Sequence, residues 1–139
     1  MIVVVAAIIE RADRKILIGQ RRRNDTSALK WEFPGGKVRA GESLEQALTR
    51  ELREELGATL VKSREIACVR HQYAGTTEEL EIHFFAAQTK ESAFQPTVFE
   101  QSVWVLPKQL AQYDFLPANR ELVAQLATGR IKPAELLET

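Results

Sequence analysis

GKVRAGESLEQALTRELREELGA, residues 36–58, is the stretch that decides the fold, because it contains the clearest helix signal in the chain. Ser43 is a typical N-cap residue, and Gln46, three residues later, is its capping-box partner. Gly57 is a typical C-terminal stop. Together these signals predict a helix from Leu44 to Leu56.

One face of this predicted helix mixes apolar and acidic side chains. At roughly 100° of rotation per residue, five apolar residues share an arc that should face the core: Leu44, Ala47, Leu48, Leu52 and Leu56. Glu51 and Glu55 fall inside that arc, and Glu54 lies at its edge. Like charges this close destabilise a fold unless a cation compensates them. A hard divalent ion with oxygen ligands would do so.

The glutamates also have an explanation that needs no metal. They can pair with Arg50 and Arg53 on a solvated helix face, as in most helices rich in Glu and Arg. Helical periodicity fits both explanations, so it leaves the choice open.

The residues before the helix predict strands. Ile2–Ile9 is apolar at odd and even positions, which is typical of a strand covered on both faces and indicates a layered α/β or α+β fold. Ile16–Gln20 is expected to be a second strand, paired with the first as a hairpin. An extended segment from Trp31 to Gly36 is interrupted by a Pro-Gly-Gly turn.

The second half of the chain continues the alternation of strands and helices. Alternating and apolar runs predict three further strands, at Glu65–Tyr73, Leu80–Gln88 and Gln101–Leu106. A second helix is expected at Ala118–Ala127, closed by Gly129, and residues 131–139 form a tail or a docked helical turn. Residues 1–139 therefore form a single domain.

Composition excludes several classes of protein. Hydrophobic residues make up 45% and charged residues 27% of the chain, which is typical of a globular protein and not of a disordered or membrane chain. Nineteen basic and nineteen acidic residues cancel, so no long-range charge attracts nucleic acid or an anionic membrane. One cysteine allows no intrachain disulfide, which favours the reducing cytoplasm. We expect Cys68 to be a small core residue and both His71 and His83 to be packed or surface residues, not ligands.

The spacing of the glycine, arginine and glutamate residues in the opening stretch resembles the Nudix box, the 23-residue signature of the Nudix hydrolases. Gly36 is followed after five residues by Glu42, and after seven more by Arg50-Glu51-Leu52-Arg53-Glu54-Glu55-Leu56-Gly57. Seven such identities coincide by chance at roughly one in 10⁸. Ala58 departs from the bulkier aliphatic residue of the family. The segments 32–37 (EFPGGK) and 116–119 (LPAN) resemble the MutT-type branch, which sanitises nucleoside triphosphate pools.

This resemblance implies an α/β/α sandwich with a mixed β-sheet between helices. It also implies hydrolysis of nucleoside triphosphates to a monophosphate and pyrophosphate, with Mg²⁺ or Mn²⁺ as the cofactor. The partner is then a small nucleotide, with no nucleic acid and no membrane.

The resemblance also assigns roles within the catalytic site. Glu51, Glu54 and Glu55 would hold the metal, and Glu51 would also orient or deprotonate the attacking water. Arg50 would pair with Glu51 and fix its rotamer. The backbone carbonyl of Gly35 and a loop carboxylate, Glu100, are further expected ligands. Glu42 is expected to support the helix.

The resemblance places three residues near the nucleotide: Arg21, Phe33 and Asn119. Arg21 could equally be a solvated charge at a strand end, and Asn119 could equally be a helix N-cap. The amide of Asn119 can donate and accept hydrogen bonds together, as recognition of a purine edge requires.

Two alternatives to the 8-oxo-dGTP type of activity stay open. Some enzymes of that type have an arginine near positions 78–80, where this chain has Thr76-Thr77-Glu78-Glu79. A CTP or modified-dCTP pyrophosphohydrolase is therefore one alternative. A non-catalytic nucleotide-binding module of the same family is the other, but it predicts a degraded box, whereas the full set of glutamates is present.

Overall fold

A computed structural model describes residues 1–72 and 75–138. The strands of this part are β1 (Ile2–Ile9), β2 (Ile16–Gln20), β3 (Trp31–Glu32), β4 (Gly35–Lys37), β5 (Leu60–Gln72), β6 (Glu79–Thr89) and β7 (Gln101–Val105). The helices are α1 (Leu44–Leu56), α2 (Arg120–Ala127) and α3 (Pro133–Leu137), with short 3-10 helices at Pro107–Gln112 and Pro117–Asn119. None of the described helices is long and apolar enough to cross a membrane.

The strands form two sheets. The larger sheet has the order β4-β1-β6-β5, in which β1 runs parallel to β6 and antiparallel to β4. The smaller sheet has the order β3-β2-β7 and is antiparallel. The expected mixed sheet is therefore confirmed.

Helices cover the larger sheet on both faces. Residues Val5 and Ala7 of β1 belong to the apolar cluster that contains Leu48 and Leu52 of α1. The alternate residue Ile8 belongs to a second cluster, which contains residues of α2. This alternation confirms that β1 is covered on both faces and that the fold is an α/β/α sandwich.

Local capping signals set the limits of α1, which has the predicted bounds. The Ser43 hydroxyl accepts a hydrogen bond from the Gln46 backbone N–H at 3.1 Å, and the Gln46 side chain accepts one from the Ser43 N–H at 2.9 Å. Gly57 ends the helix in the left-handed region, with φ of 66°.

The predicted β1–β2 hairpin is wrong. The two strands lie in different sheets, and the described residues join them only through one bridge, from Glu10 to Ile16. The reason is that both edges of each strand are already occupied. β4 and β6 flank β1, while β3 and β7 flank β2.

Several predicted boundaries differ from the structure. β5 begins at Leu60, five residues before the predicted start, because β6 pairs with it along most of its length. The predicted end of that strand, Tyr73, lies outside the described residues. α2 begins at Arg120, because the residues before it form a 3-10 helix. α3 is the expected docked helical turn, and it packs against β5 and β6.

The prediction that Cys68 belongs to the core is wrong, because the residue is exposed. A register shift in β5 between Glu65 and Ala67 places both Ile66 and Ala67 against the cluster around α2. Cys68 then faces the opposite side of the sheet. A bulge of this kind redirects side chains in a way that alternation does not predict.

Candidate active site

Two glycines at the start of β4 allow α1 carboxylates to approach the sheet. A Cβ atom on Gly36 would overlap the Glu51 carboxylate, so a glycine is needed for this approach. Gly35 donates its backbone N–H to Oε1 of Glu55 at 3.0 Å. A Cβ on Gly35 would in turn overlap the Val5 carbonyl oxygen of β1. The Pro-Gly-Gly turn therefore holds Glu51 and Glu55 close to the sheet.

Arg50 is the hub that orders these side chains. Its Nη1 donates to Oε1 of Glu51 at 2.8 Å and to Oε2 of Glu54 at 3.3 Å. Its Nε and Nη2 donate to the two oxygens of Glu42 at 2.7 and 2.9 Å, and Nη2 also donates to the Lys37 carbonyl at 2.9 Å. The guanidinium thus ties both β4 and the loop before α1 to the glutamates.

These hydrogen bonds stabilise the charged forms of Glu42 and Arg50. Hydrogen bonding to Arg50 and to the Arg39 N–H lowers the pKa of Glu42 to about 2. Hydrogen bonds to Glu42 and Glu51 raise the pKa of Arg50 above its ordinary value. Glu42 therefore supports the hub, as expected, and the predicted pairing of Arg50 with Glu51 is present.

Glu55 is in the opposite situation, because burial raises its pKa to about 8. The Gly35 N–H acts against this shift, whereas the nearby charges of Glu51, Glu32 and Glu54 add to it. The carboxylates therefore repel one another in a partly desolvated environment. A bound cation would relieve that repulsion.

The donor set fits a hard divalent cation. Among the described residues, neither Oε2 of Glu51 nor Oε2 of Glu55 has a hydrogen-bond partner. The Glu54 side chain is 49% exposed and lies 3.8 Å from Arg39, between Oε1 and Nη2. A solvent-open groove of about 660 Å³ runs along the outer side of α1; Glu54 lines it, whereas Glu51 and Glu55 do not. Carboxylate oxygens reachable from water are the ligands that Mg²⁺ and Mn²⁺ prefer.

Glu100 lies just before β7, and the contacts of its carboxylate are with Arg23 and not with the residues around Arg50. Its Oε1 is 3.7 Å from Nε of Arg23 and 3.4 Å from the Arg23 backbone nitrogen. No contact among the described residues joins it to Glu54 or Glu55, so its role as a ligand stays a prediction. The same holds for the Gly35 carbonyl, since Gly35 meets Glu55 through its N–H.

Arg21 is a constrained side chain, not a free strand-end charge. Its Nε donates to the Thr26 carbonyl at 2.7 Å, and its Nη1 donates to Oε1 of Glu32 at 3.2 Å. Burial raises the pKa of Glu32, and Arg21 partly offsets that effect. The charge of Glu32 also raises the pKa of Glu55. Glu32 therefore interacts both with Arg21, by a hydrogen bond, and with Glu55, by charge repulsion.

Glu32 is the residue that sequence reasoning did not single out. It appears in the sequence only as part of the segment before the glycines. A signal was present, because Glu32 is an acidic residue between the buried Trp31 and Phe33.

Asn119 is 5% exposed and precedes α2 directly. The capping explanation predicts that its side chain accepts a backbone N–H, but the structure shows no such bond, and its backbone is already helical, with φ of −95° and ψ of −13°. No hydrogen bond of its amide to another described residue is present, and neither amide atom is fully buried. The side chain is therefore held by packing while its polar atoms stay available.

Phe33 lies in the same apolar cluster as α2. It is 4% exposed, and its ring stacks on Phe115 at 5.3 Å between centroids and meets Phe84 edge-on at 6.3 Å. The structure therefore places Phe33 in the core, where it supports the neighbourhood of Asn119. Its contact with a nucleotide stays a prediction.

The chain is similar to known proteins over most of its length. The NUDIX domain model matches residues 1–126. A CTP pyrophosphohydrolase of Escherichia coli is 39% identical over 97% of this chain and 98% of its own length. An 8-oxo-dGTP diphosphatase of Haemophilus influenzae is 37% identical over 91% of each chain. The crystal structure of a MutT NUDIX hydrolase from Burkholderia pseudomallei has a TM-score of 0.78 at 30% identity, with 89% of this chain and 96% of that one covered.

The chain belongs to the Nudix family. It is a hydrolase of that family, whose members generally need a divalent metal. Of the two relatives described above, one is named for CTP and the other for 8-oxo-dGTP.

Proposed function

We propose that this hydrolase converts nucleoside triphosphates, ribose or deoxyribose, to a monophosphate and pyrophosphate, with Mg²⁺ as the cofactor and Mn²⁺ as a substitute. The observation that carries the proposal is the hub in which Arg50 joins Glu42, Glu51 and Glu54 beside the buried Glu55. Phosphoryl transfer depends on positioning and charge neutralisation, and this arrangement is suited to both.

Each residue of the hub has a distinct role in this proposal. Glu51, Glu54 and Glu55 hold the cation, which neutralises phosphate charge and orients the reacting groups when bound. Glu51 is the group that orients or deprotonates the attacking water, because Arg50 occupies its Oε1 and leaves Oε2 free. Arg50 is a positioning residue for Glu51. The Gly35 carbonyl and Glu100 complete the ligand set.

Nucleotide recognition falls to the opposite side of the mixed sheet. We assign the base to Asn119, because its amide is packed in place and makes no cap hydrogen bond. Arg21 and Phe33 shape the approach to it. Damaged guanine nucleotides of the 8-oxo-dGTP type are the main substrate class, in keeping with the name of the Haemophilus relative and with a role in cleaning the nucleotide pool.

CTP or a modified dCTP is the second candidate substrate. The E. coli relative that is named for CTP covers nearly the whole chain. In addition, residues 76–79 contain no arginine of the kind expected for 8-oxo-dGTP. Either substrate is a small nucleotide, so the proposed reaction involves neither nucleic acid nor a membrane, and we assign the enzyme to the cytoplasm, where its single cysteine would stay reduced.

A panel of nucleotides separates the two candidates. Pyrophosphate release is measured with Mg²⁺ for 8-oxo-dGTP, dGTP, CTP and 5-methyl-dCTP at concentrations below KM, so that initial rates give kcat/KM. The proposal predicts the highest kcat/KM for 8-oxo-dGTP. A preference for CTP or the methylated dCTP would replace the substrate assignment, and orthophosphate as the product would contradict the reaction itself.

A further inference from the structure

A second cluster of metal-ligating groups lies on β5 and β6. Sγ of Cys68 is 4.0 Å from Nε2 of His83, and Oε2 of Glu65 is 2.7 Å from Nδ1 of the same ring. One ligand atom from each of the three residues lies within 4.8 Å of the others. In tetrahedral zinc sites, metal bonds of roughly 2.0–2.3 Å put sulfur and nitrogen roughly 3.5 Å apart. Glu65 and Cys68 face different nitrogens of the ring, so the Cys68 side chain must turn toward Nδ1, which Glu65 already faces, for the three groups to share one ion.

The backbone of β5 is irregular at this cluster. Glu65 pairs with Phe85 and Cys68 pairs with His83, with a register shift between Glu65 and Ala67. In a regular strand, residues three apart point to opposite faces. The shift puts Glu65 and Cys68 on the same face as His83. Bulges often redirect side chains beside functional sites.

The His83 ring is held between two carboxylates. While Nδ1 faces Glu65, Nε2 lies 2.8 Å from Oε2 of Glu81. A neutral imidazole carries one N–H, so it leaves one nitrogen lone pair facing a carboxylate. A cation is therefore required at the ring, either a second proton or a metal ion. The arrangement in which a carboxylate holds one nitrogen of a metal-bound histidine is common in zinc sites.

This cluster is separate from the Nudix glutamates. Gly36, Val5, His83 and Cys68 are register partners across β4, β1, β6 and β5. Gly36, which meets Glu51, is three strands from Cys68, and at a strand spacing of about 4.8 Å this amounts to roughly 14 Å. The two groups of residues cannot hold the same ion.

We propose that Glu65, Cys68 and His83 form a second metal site, which binds a thiophilic divalent cation such as Zn²⁺. Glu81 holds the histidine ring in place. Three protein ligands leave a fourth position for water or another ligand. The thiolate and imidazole select against Mg²⁺, which prefers the all-oxygen set on α1. The proposal extends the proposed function but does not depend on it.

A simpler arrangement would be a network of charges with no metal. Arg70 contributes to such a network, because its Nη2 is 3.1 Å from Oε1 of Glu81. In that case His83 would carry two protons, and Cys68 would have no special role. The two arrangements differ in what they predict for the thiol.

Alkylation of the thiol by iodoacetamide tests the proposal. Cys68 is the one cysteine of the chain, so the modified mass reports it alone. With Mg²⁺ present to fill the α1 site, saturating Zn²⁺ is expected to slow alkylation at least about tenfold in the wild type and in Glu54→Gln. His83→Gln should abolish the protection, and Glu81→Gln should raise the Zn²⁺ concentration needed for it about 10- to 100-fold. Equal alkylation rates with and without Zn²⁺, or equal protection in His83→Gln, would overturn the proposal.

Cobalt gives an independent readout that does not require a change at His83. Co²⁺ bound to a thiolate has a charge-transfer absorption in the near ultraviolet, whereas Co²⁺ bound by glutamates has none. One equivalent of this band is expected in the wild type and in Glu54→Gln, and none in Cys68→Ser. The absence of the band in the wild type, or its presence in Cys68→Ser, would contradict the site.

Discussion

The two faces of the mixed sheet differ in how their functional residues are arranged along the chain. On the face covered by α1, Glu42 and Glu54 are twelve positions apart, and both accept hydrogen bonds from Arg50. On the face covered by α2, Phe33 and Asn119 come from distant parts of the chain; Phe33 belongs to an apolar cluster that also contains Ala118, the residue before Asn119. We assign the reaction to the first face and substrate choice to the second. Chemistry encoded within one helix can be predicted from the sequence, whereas specificity depends on how distant segments meet.

The largest expected effect is the loss of kcat when one of the α1 glutamates is replaced. Glu54→Gln or Glu55→Gln takes a ligand from a cation that supplies several kcal/mol of charge stabilisation, so kcat should fall at least about a hundredfold. Steady-state kinetics with Mg²⁺ measures this change. Circular dichroism and a melting curve should show that both variants remain folded.

Glu45→Gln is the matched control for that experiment, because Glu45 lies in the first turn of the same helix. Its kcat should stay near the wild-type value. A comparable loss in all three variants would mean that general helix charge, and not a metal site, accounts for the activity.

A methyl group on Gly36 tests how closely the hub must approach the sheet. Its Cβ would overlap the Glu51 carboxylate, so Gly36→Ala should displace Glu51 and lower kcat about 10- to 100-fold. KM should change less, because Glu51 serves the attacking water more than substrate binding.

Gly41→Ala separates this steric effect from backbone strain. Gly41 has φ of 83° and open space around its Cβ position. The substitution should lower the free energy of unfolding by about 1 kcal/mol and leave kcat unchanged. If Gly36→Ala kept full activity, the contact with Glu51 would have no functional role.

The same contrast explains which parts of the structure the sequence could predict. The bounds of α1 depend on Ser43, Gln46 and Gly57, which all act within a few residues of the helix, and they were predicted correctly. The partner of β1 depends on which distant strands reach its edges, and the predicted hairpin was wrong. The exposure of Cys68 depends on a bulge, which alternation of side chains cannot show.

The site shows the same division. The Arg50–Glu51 pair is local and was predicted, but the proximity of Glu32 to Glu55 depends on how β3 lies relative to α1. The sequence alone is compatible with two roles for Asn119, a helix N-cap and a contact with the base. Only the three-dimensional structure shows that its side chain makes no capping bond.

Loss of the Asn119 amide should affect substrate choice more than rate. A base edge left without its hydrogen-bond partner costs about 1–3 kcal/mol, so Asn119→Ala should reduce the preference between 8-oxo-dGTP and CTP about 5- to 150-fold. The ratio of kcat/KM values measures this change. A loss of about 1 kcal/mol of stability with an unchanged ratio would show that Asn119 has a structural role instead.

The last expected effect is on stability as a function of pH without metal. The folded pKa of Glu55, about 8, lies above its ordinary value of 4.5, so the folded state holds a proton that the unfolded chain releases. The contribution of Glu55 to the free energy of unfolding is therefore full below about pH 4.5 and is lost as the pH rises through about 8. In EDTA, the wild-type Tm should fall more steeply over this range than that of Glu55→Gln.

Magnesium should reverse this trend, because the ion replaces the proton on Glu55. At pH 8, Mg²⁺ should therefore raise the wild-type Tm more than that of Glu55→Gln. Parallel pH profiles for the two proteins in EDTA would contradict the assignment of Glu55 as a buried, charge-crowded ligand.

Product analysis with and without metal tests the central claim most directly. Wild type and Glu55→Gln are incubated with 8-oxo-dGTP or CTP in Mg²⁺ and in excess EDTA, and the products are separated by anion-exchange chromatography. The proposed reaction predicts nucleoside monophosphate and pyrophosphate from the wild type in Mg²⁺, and almost none from Glu55→Gln or in EDTA. Full hydrolysis in EDTA, or nucleoside diphosphate and orthophosphate as the products, would contradict it.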